Sequence, residues 1–215
     1  MTMPSAEPTA PGFRPPQQAR SRLALQRMLT AAQEVLAAEG YDEFTMTAVA
    51  DRAGMSVGTI YRRFDGKEQL LAAVKDRMLS ELETGLAERL RAADPDLAGI
   101  ISAFAATIAD AFVTGGAAWP YLIRGTGRSL EARGVQALGT TRRLFIAATR
   151  PHLDAVRRPN PEAALDAVER MITGALIHQA AANASAGDGL PMREYGRRLC
   201  DMAVAYLLTP GHPGA

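Results

Sequence analysis

Apolar residues recur every three or four positions along most of the chain, and this spacing is typical of amphipathic helices. One apolar stripe predicts a helix from Arg20 to Ala38, and a longer one predicts a helix from Lys67 to Ala93. Further helices are predicted near 96–114, 119–130, 134–150, 161–186 and 191–208. Alternating β-branched stretches, which would indicate strands, are missing. The pattern therefore predicts an all-α protein of about nine helices.

Two short helices are predicted between the first two long ones. Thr45 can cap a helix that Gly54 ends, and Ser56 can cap the next helix, from Val57 to Phe64. The residues predicted to face inward are Met46, Val49, Ala50, Ala53, Ile60 and Phe64. Two short helices joined by a glycine turn match the helix-turn-helix unit, whose second helix lies in the major groove of DNA. A helix this short is not stable alone, so its exposed face is interpreted as functional.

The distribution of charge supports a local nucleic-acid surface and no global one. The 215 residues carry 24 basic and 23 acidic side chains, a formal net charge of +1, so no strong overall field attracts the protein to DNA. Between Arg52 and Phe64, however, there are three arginines and no acid. Arg20, Arg22 and Arg27 form a second acid-free cluster at the start of the first helix.

Composition also bears on the compartment and on catalysis. The lone Cys200 cannot form an internal disulfide, the apolar runs read as too short for a membrane span, and the first residues lack a signal peptide. A cytoplasmic location is expected. The three histidines, His152, His178 and His212, are far apart, and the GTGRS segment at 125–129 lacks the lysine of a phosphate-binding loop. No enzymatic activity, metal or cofactor is therefore expected.

The segment FTMTAVADRAGMSVGTIYRRFDGKEQLL, residues 44–71, resembles the DNA-binding region of the TetR family of transcriptional regulators. The resemblance implies that Val57, Gly58 and Thr59 lie at the groove and that Tyr61 and Lys67 grip the DNA backbone. Arg63 stands where the family often has histidine, and Gly58 offers no side chain to the bases. The complete set of expected DNA contacts is Thr45, Ser56, Val57, Gly58, Thr59, Tyr61, Arg62, Arg63 and Lys67.

Residues beyond about 95 carry no strong motif. In the family that the sequence resembles, this part is a helical bundle that binds a small molecule and pairs two subunits. The residues expected to line a ligand pocket are Phe104, Ile108, Phe112, Trp119, Leu122, Ile123, Arg124, Phe145 and His178, with Gln179 as a further polar group. Because charge is scarce among them, a largely apolar effector is expected. Each of these aromatic and apolar residues can equally be read as ordinary core.

Two subunits are expected to pair through the 161–186 and 191–208 helices. Leu165, Val168, Ile172, Leu176 and Ile177 form one apolar stripe there, and Met202, Ala203, Tyr206 and Leu207 form another. If these stripes are instead core residues that pack within one chain, they do not form a dimer interface. The expected organisation is a flexible tail at 1–19, a helix-turn-helix domain at 20–66, a connecting helix at 67–95, and a ligand-binding and dimerisation domain at 96–210.

The expected function is that of a homodimeric repressor that binds a palindromic operator and is released by a small effector. The alternative is an architectural or accessory DNA-binding protein without an effector. Such a protein would have the same first three helices but a fully packed second domain.

Overall fold

The computed structural model describes the backbone of residues 17–124, 128–183 and 190–210, and the side chains of residues 19–123, 130–182 and 190–210. Within these ranges the regular secondary structure consists of nine α-helices and one short 3-10 helix at Arg150–Ala155, with no strand. The predicted all-α fold is confirmed. The helices are α1 (Gln17–Glu39), α2 (Met46–Ala53), α3 (Val57–Tyr61), α4 (Lys67–Ala92), α5 (Leu97–Gly115), α6 (Ala118–Arg124), α7 (Arg128–Thr149), α8 (Pro161–Asn183) and α9 (Met192–Leu208).

Helix α1 packs against α2 and α4, and α2 packs against α3, around a small apolar core. Phe44, Val49, Ala50 and Ile60 are almost completely buried there. Helix α1 begins at Gln17, three residues before the predicted start. Helix α3 is shorter than predicted and ends at Tyr61. The next amides tighten into a turn instead, because the Arg63 and Phe64 N–H groups both donate to the carbonyl of Ile60.

The predicted boundary between the sixth and seventh helices was wrong. A break was expected at 130–134, but these residues lie inside α7, which begins at Arg128. Gly125–Gly127, which the sequence suggested as the separator, lie outside the described residues, and Gly134 falls inside α7. A single glycine costs a helix only about 1 kcal/mol, and packing of α7 against α4 and α5 offsets that cost. Pro151 lies just past the end of α7 and starts the 3-10 helix instead.

Helix α5 lies at the centre of the larger part of the chain. It contacts α4, α7, α8 and α9, and its Phe104 ring packs 4.7 Å from the ring of Phe145 in α7. Contrary to the expectation from the sequence, its 19 residues are long and apolar enough to cross a bilayer. About half of that helix is buried among its neighbours, which is the environment of a core helix.

Candidate nucleic-acid interface and cavity

Side-chain caps and a glycine turn determine where α2 begins and ends and where α3 begins. The Thr45 hydroxyl accepts the Ala48 amide at 3.1 Å, and the Ser56 hydroxyl accepts the Thr59 amide at 3.2 Å. Gly54 ends α2 in the left-handed conformation, with φ of 63° and ψ of 43°. These are the caps and the turn that the sequence predicted, and they set α3 as a rigid unit against α2.

The outer face of α3 carries the polar and aromatic groups. Ile60 and Phe64 are buried beneath it, whereas the Tyr61 side chain is 52% exposed and Arg62 is exposed. The Thr59 hydroxyl lies 2.8 Å from the Ser56 hydroxyl and accepts a hydrogen bond from the Arg62 guanidinium at 3.3 Å. The start of α3 is therefore a connected set of hydroxyl and guanidinium groups that faces solvent.

Two of the expected contact residues are held by neighbouring elements. The Arg63 guanidinium donates to the Ser21 hydroxyl in α1 at 2.6 Å. The Lys67 ammonium lies 4.3 Å from the centre of the Tyr41 ring and donates to the Tyr41 carbonyl at 3.5 Å. Both side chains are thus positioned at the edge of the α3 surface, because α1 and the loop after it hold them there.

Other arginines of the two basic clusters serve the fold. The Arg27 guanidinium donates to the Ala53 carbonyl at the end of α2, 2.9 Å away. Arg52 forms an ion pair with Glu34, with 3.3 Å between the nitrogen and oxygen atoms. Of the remaining cations, Arg62 and Arg63 are exposed and Lys67 is partly exposed, and Arg20 and Arg22 are exposed on α1.

A cavity of about 330 Å³ lies between α4, α5, α6, α7 and α8. Its walls are mainly apolar, and its lining residues are Lys75, Leu79, Leu82, Ile108, Phe112, Trp119, Ile123, Glu131, Gly134, Val135, Ala137, Leu138, Thr141, Thr173 and Ile177. Of the expected pocket residues, four are among these: Ile108, Phe112, Trp119 and Ile123.

The other expected pocket residues do not line this cavity. Phe104 and Phe145 are fully buried and pack on each other, and Leu122 is core. His178 is exposed on α8. Gln179 donates to the Leu190 carbonyl at 3.3 Å. The side chain of Arg124 lies outside the described residues.

The cavity wall includes a cation, Lys75, that sequence reasoning missed. Lys75 is only 6% exposed, and its ammonium donates to the Leu122 carbonyl at 2.9 Å. Burial lowers its pKa, the Glu131 carboxylate opposes that change, and the Arg133 charge adds to it. The signal was present in the sequence, because Lys75 follows Leu71 by four residues and precedes Leu79 by four, on the apolar face of α4.

An acidic side chain is buried next to the cavity. Glu169 in α8 is 3% exposed and accepts a hydrogen bond from the Thr173 hydroxyl at 3.1 Å. Burial raises the pKa of its carboxyl, and the Thr173 hydrogen bond opposes that rise. Among the residues that the structure describes, no three His, Cys, Asp or Glu side chains converge into a metal-binding group.

The apolar stripe of α8 faces the interior of the protein. Leu165, Val168, Ile172 and Leu176 are all buried within the chain, so these residues of the predicted dimer surface are core. In α9, Ala203 and Leu207 are likewise buried. The large apolar side chains that α8 and α9 leave exposed are Met171, Met202, Tyr206 and Leu208.

Comparison with known proteins identifies the helix-turn-helix region. A family model described as bacterial regulatory proteins, tetR family, matches residues 28–74. The transcriptional activator FasR of Mycolicibacterium smegmatis is 38% identical over 65 residues, which are 30% of this chain and 30% of FasR. The transcriptional repressor KstR of Mycobacterium tuberculosis is 40% identical over 57 residues, 26% of each chain. The matched segment thus spans less than a third of either relative.

The whole fold also has solved counterparts. The structure of the transcriptional regulator FadR from Bacillus subtilis, in complex with stearoyl-CoA, superposes with a TM-score of 0.69 over 84% of this chain and 98% of FadR. Identity to FadR is 14%, so the likeness is one of fold alone. Residues 28–74 therefore match the helix-turn-helix region of the TetR family, and the fold of most of the chain is similar to that of solved transcriptional regulators.

Proposed function

We propose that the chain binds DNA through the outer face of α3 and the start of α4. The observation that carries the proposal is the exposed Tyr61 and Arg62 on a helix that buried Ile60 and Phe64 hold rigidly in place. Arginine, lysine and tyrosine side chains contact phosphates, and groups at the start of the recognition helix read base edges. By this assignment, Arg62, Arg63 and Lys67 position the protein, with Tyr61 alongside them.

Base reading is assigned to the first turn of α3. Val57 and Thr59 are partly exposed there, and Gly58 presents bare backbone with no atom near the position of a side chain. The Thr59 hydroxyl is oriented by Ser56 and Arg62. Thr45 and Ser56, at the starts of α2 and α3, are close to the phosphates in this arrangement.

The protein acts as a homodimer in this proposal. Met171, Met202, Tyr206 and Leu208 form an exposed apolar set on α8 and α9, which supports pairing through these helices. A two-fold pair would place two copies of α3 about one DNA turn, roughly 34 Å, apart. The operator is then expected to be palindromic.

A small effector is proposed to occupy the cavity and weaken DNA binding. A fully packed second domain would have favoured an accessory DNA-binding protein, whereas a cavity of about 330 Å³ favours an effector. One wall of the cavity is formed by α4, and this helix begins at Lys67. A ligand that displaces α4 therefore changes the position of the DNA-binding domain. FadR, which has a similar fold, is named in complex with stearoyl-CoA, so a protein of this fold that binds a ligand has a solved precedent.

The unliganded dimer is proposed to be a cytoplasmic repressor, since it is the form that holds DNA. The relatives are named as an activator and a repressor, so a promoter-reporter assay decides the sign. The test of DNA binding itself is selection from a pool of random duplexes by the full chain at low ionic strength. Enrichment of a two-fold symmetric site supports the proposal. No enrichment over a Tyr61→Ala, Arg62→Ala double variant would refute it.

A further inference from the structure

Among the described residues that line the cavity, a single side chain has hydrogen-bond donors to spare. The Trp119 indole N–H donates to the Ala111 carbonyl at 2.8 Å. The Thr141 hydroxyl donates to the Leu138 carbonyl, and the Thr173 hydroxyl to the Glu169 carboxyl. These lining donors are therefore already used inside the protein.

Lys75 differs from them, because an ammonium carries three N–H donors. Within the described part of the chain, its hydrogen-bond acceptor is the Leu122 carbonyl alone. Lys75 is only 6% exposed, so its two other N–H groups are left for a molecule in the cavity. The backbone at Gly134 lies close enough that a side chain there would contact the ammonium, at 3.5 Å.

No carboxylate forms an ion pair with Lys75 within the ranges that the structure describes. The neighbouring Asp76 and Glu83 are both bound to Arg133, at 2.6 Å and 2.8 Å. Glu131 lines the cavity and acts on Lys75 through its charge, but it is exposed and forms no ion pair with Lys75 among the described residues. A buried ammonium is costly unless it is paired. An anion bound in the cavity would therefore be stabilised by pairing with the Lys75 ammonium.

We propose that the cavity binds an apolar molecule carrying one carboxylate, and that Lys75 pairs with this carboxylate. One lysine neutralises one negative charge, whereas a phosphate group would leave a second charge uncompensated in an apolar space near Glu131. The apolar body of the ligand contacts Leu79, Ile108 and Phe112. This inference rests on the proposed effector site and names the class of effector.

The bond between Lys75 and Leu122 gives the carboxylate a route to the DNA-binding surface. This hydrogen bond connects α4 to α6, and its two residues are 47 positions apart in the sequence. A carboxylate that binds the two remaining N–H groups draws the ammonium toward the cavity and away from the Leu122 carbonyl, because a charged acceptor forms the stronger hydrogen bond. Occupancy therefore loosens the α4–α6 contact while it fills the cavity.

The test uses matched pairs of probes that differ only in the acid group. Decanoate is compared with 1-decanol, and 4-phenylbutyrate with 4-phenylbutan-1-ol, at neutral pH. Trp119 is the one tryptophan of the chain and lines the cavity, so its fluorescence reports binding. The full chain is titrated as wild type, as Lys75→Met and as the control Thr141→Val, which changes a cavity hydroxyl without changing charge.

The inference predicts that each acid binds the wild type about tenfold or more tightly than its alcohol. Lys75→Met should abolish this preference and leave alcohol binding intact, whereas Thr141→Val should retain the preference. Equal affinity of acid and alcohol for the wild type would overturn the inference, as would a preference that survives in Lys75→Met or the absence of binding by all four probes. The wild-type comparison stands even if a variant does not fold.

DNA binding is measured on the same samples to separate the two proposals. If acids and alcohols release DNA equally well, the effector site stands and the assignment to Lys75 fails. If the unliganded protein does not bind DNA, the proposed function fails whatever the fluorescence shows.

Discussion

The guanidinium of Arg77 donates to the side-chain oxygen of Gln33 at 2.6 Å and thereby joins α4 to α1. The same guanidinium donates to the Thr30 hydroxyl at 3.0 Å and to the Leu29 carbonyl at 3.3 Å. Helical spacing puts Arg77 on the side of α4 away from Lys75. One helix therefore lines the cavity with one face and contacts α1 with the other.

Replacing Arg77 by methionine is expected to destabilise the protein. Several charge-assisted hydrogen bonds to α1 are lost together, and the expected loss in the free energy of unfolding is about 1–3 kcal/mol. Urea unfolding measures it. Arg91→Met, at an exposed position near the other end of α4, is the control and should change stability by less than about 0.5 kcal/mol. Equal effects of the two substitutions would show that Arg77 does not anchor α1.

Two glycines of the helix-turn-helix are expected to respond in opposite directions to alanine. Gly54 has a φ of 63°, which a side chain disfavours, so Gly54→Ala should lower stability by about 1 kcal/mol. Gly58 lies within α3, and no atom lies within 4 Å of the place that an added methyl group would take, so Gly58→Ala should raise stability by up to about 1 kcal/mol. Thermal melting of both variants checks the pair. Stabilisation by Gly54→Ala would contradict the turn geometry.

Lys67→Ala is expected to weaken binding to every duplex by a similar factor. Its ammonium is proposed to contact a phosphate, so its loss should reduce the slope of log affinity against log salt by about one counterion. Fluorescence anisotropy over a series of salt concentrations measures this slope. An unchanged slope, with Arg91→Ala as the reference, would remove Lys67 from the DNA interface.

The buried Glu169 predicts a dependence of stability on pH. Burial raises its pKa in the folded protein, so between the usual and the raised pKa the folded state binds more protons than the unfolded state. Stability should therefore fall as pH rises through that window. Glu169→Gln keeps the Thr173 hydrogen-bond acceptor and should remove this fall. Thermal melts from about pH 4 to about pH 8 test it.

The exposed Glu162 of the same helix provides the control for that experiment. Glu162→Gln should leave the decline in stability in place. If Glu169→Gln melts with the wild-type dependence on pH, the decline has another origin.

Local signals explain which parts of the structure the sequence could predict. The caps at Thr45 and Ser56 and the turn at Gly54 depend on residues within four positions, so short-range chemistry determines them. The tie between Lys75 and Leu122 joins positions 47 residues apart, and no periodicity reports it. Phe104 and Phe145 were predicted to line the pocket for a similar reason. A helical stripe of apolar residues does not show whether an aromatic side chain packs in the core or lines a cavity.

For a related reason, the sequence could not show which residues of the α8 and α9 stripes are buried and which are exposed. Leu165 and Met171 both lie on an apolar helix, and only the packing of α5, α7 and α9 determines that the first is buried and the second exposed. The interpretation as core, which the sequence left open, is the one that holds for Leu165, Val168, Ile172 and Leu176.

The central claim is that the outer face of α3 binds DNA, and anisotropy of a labelled duplex carrying the selected site tests it most directly. The wild type and Arg91→Ala should bind with the same affinity, whereas Tyr61→Ala and Arg62→Ala should each bind more weakly by about tenfold. Circular dichroism confirms that all four proteins are folded. Equal binding by all four, or no binding by the wild type at low ionic strength, would contradict the account.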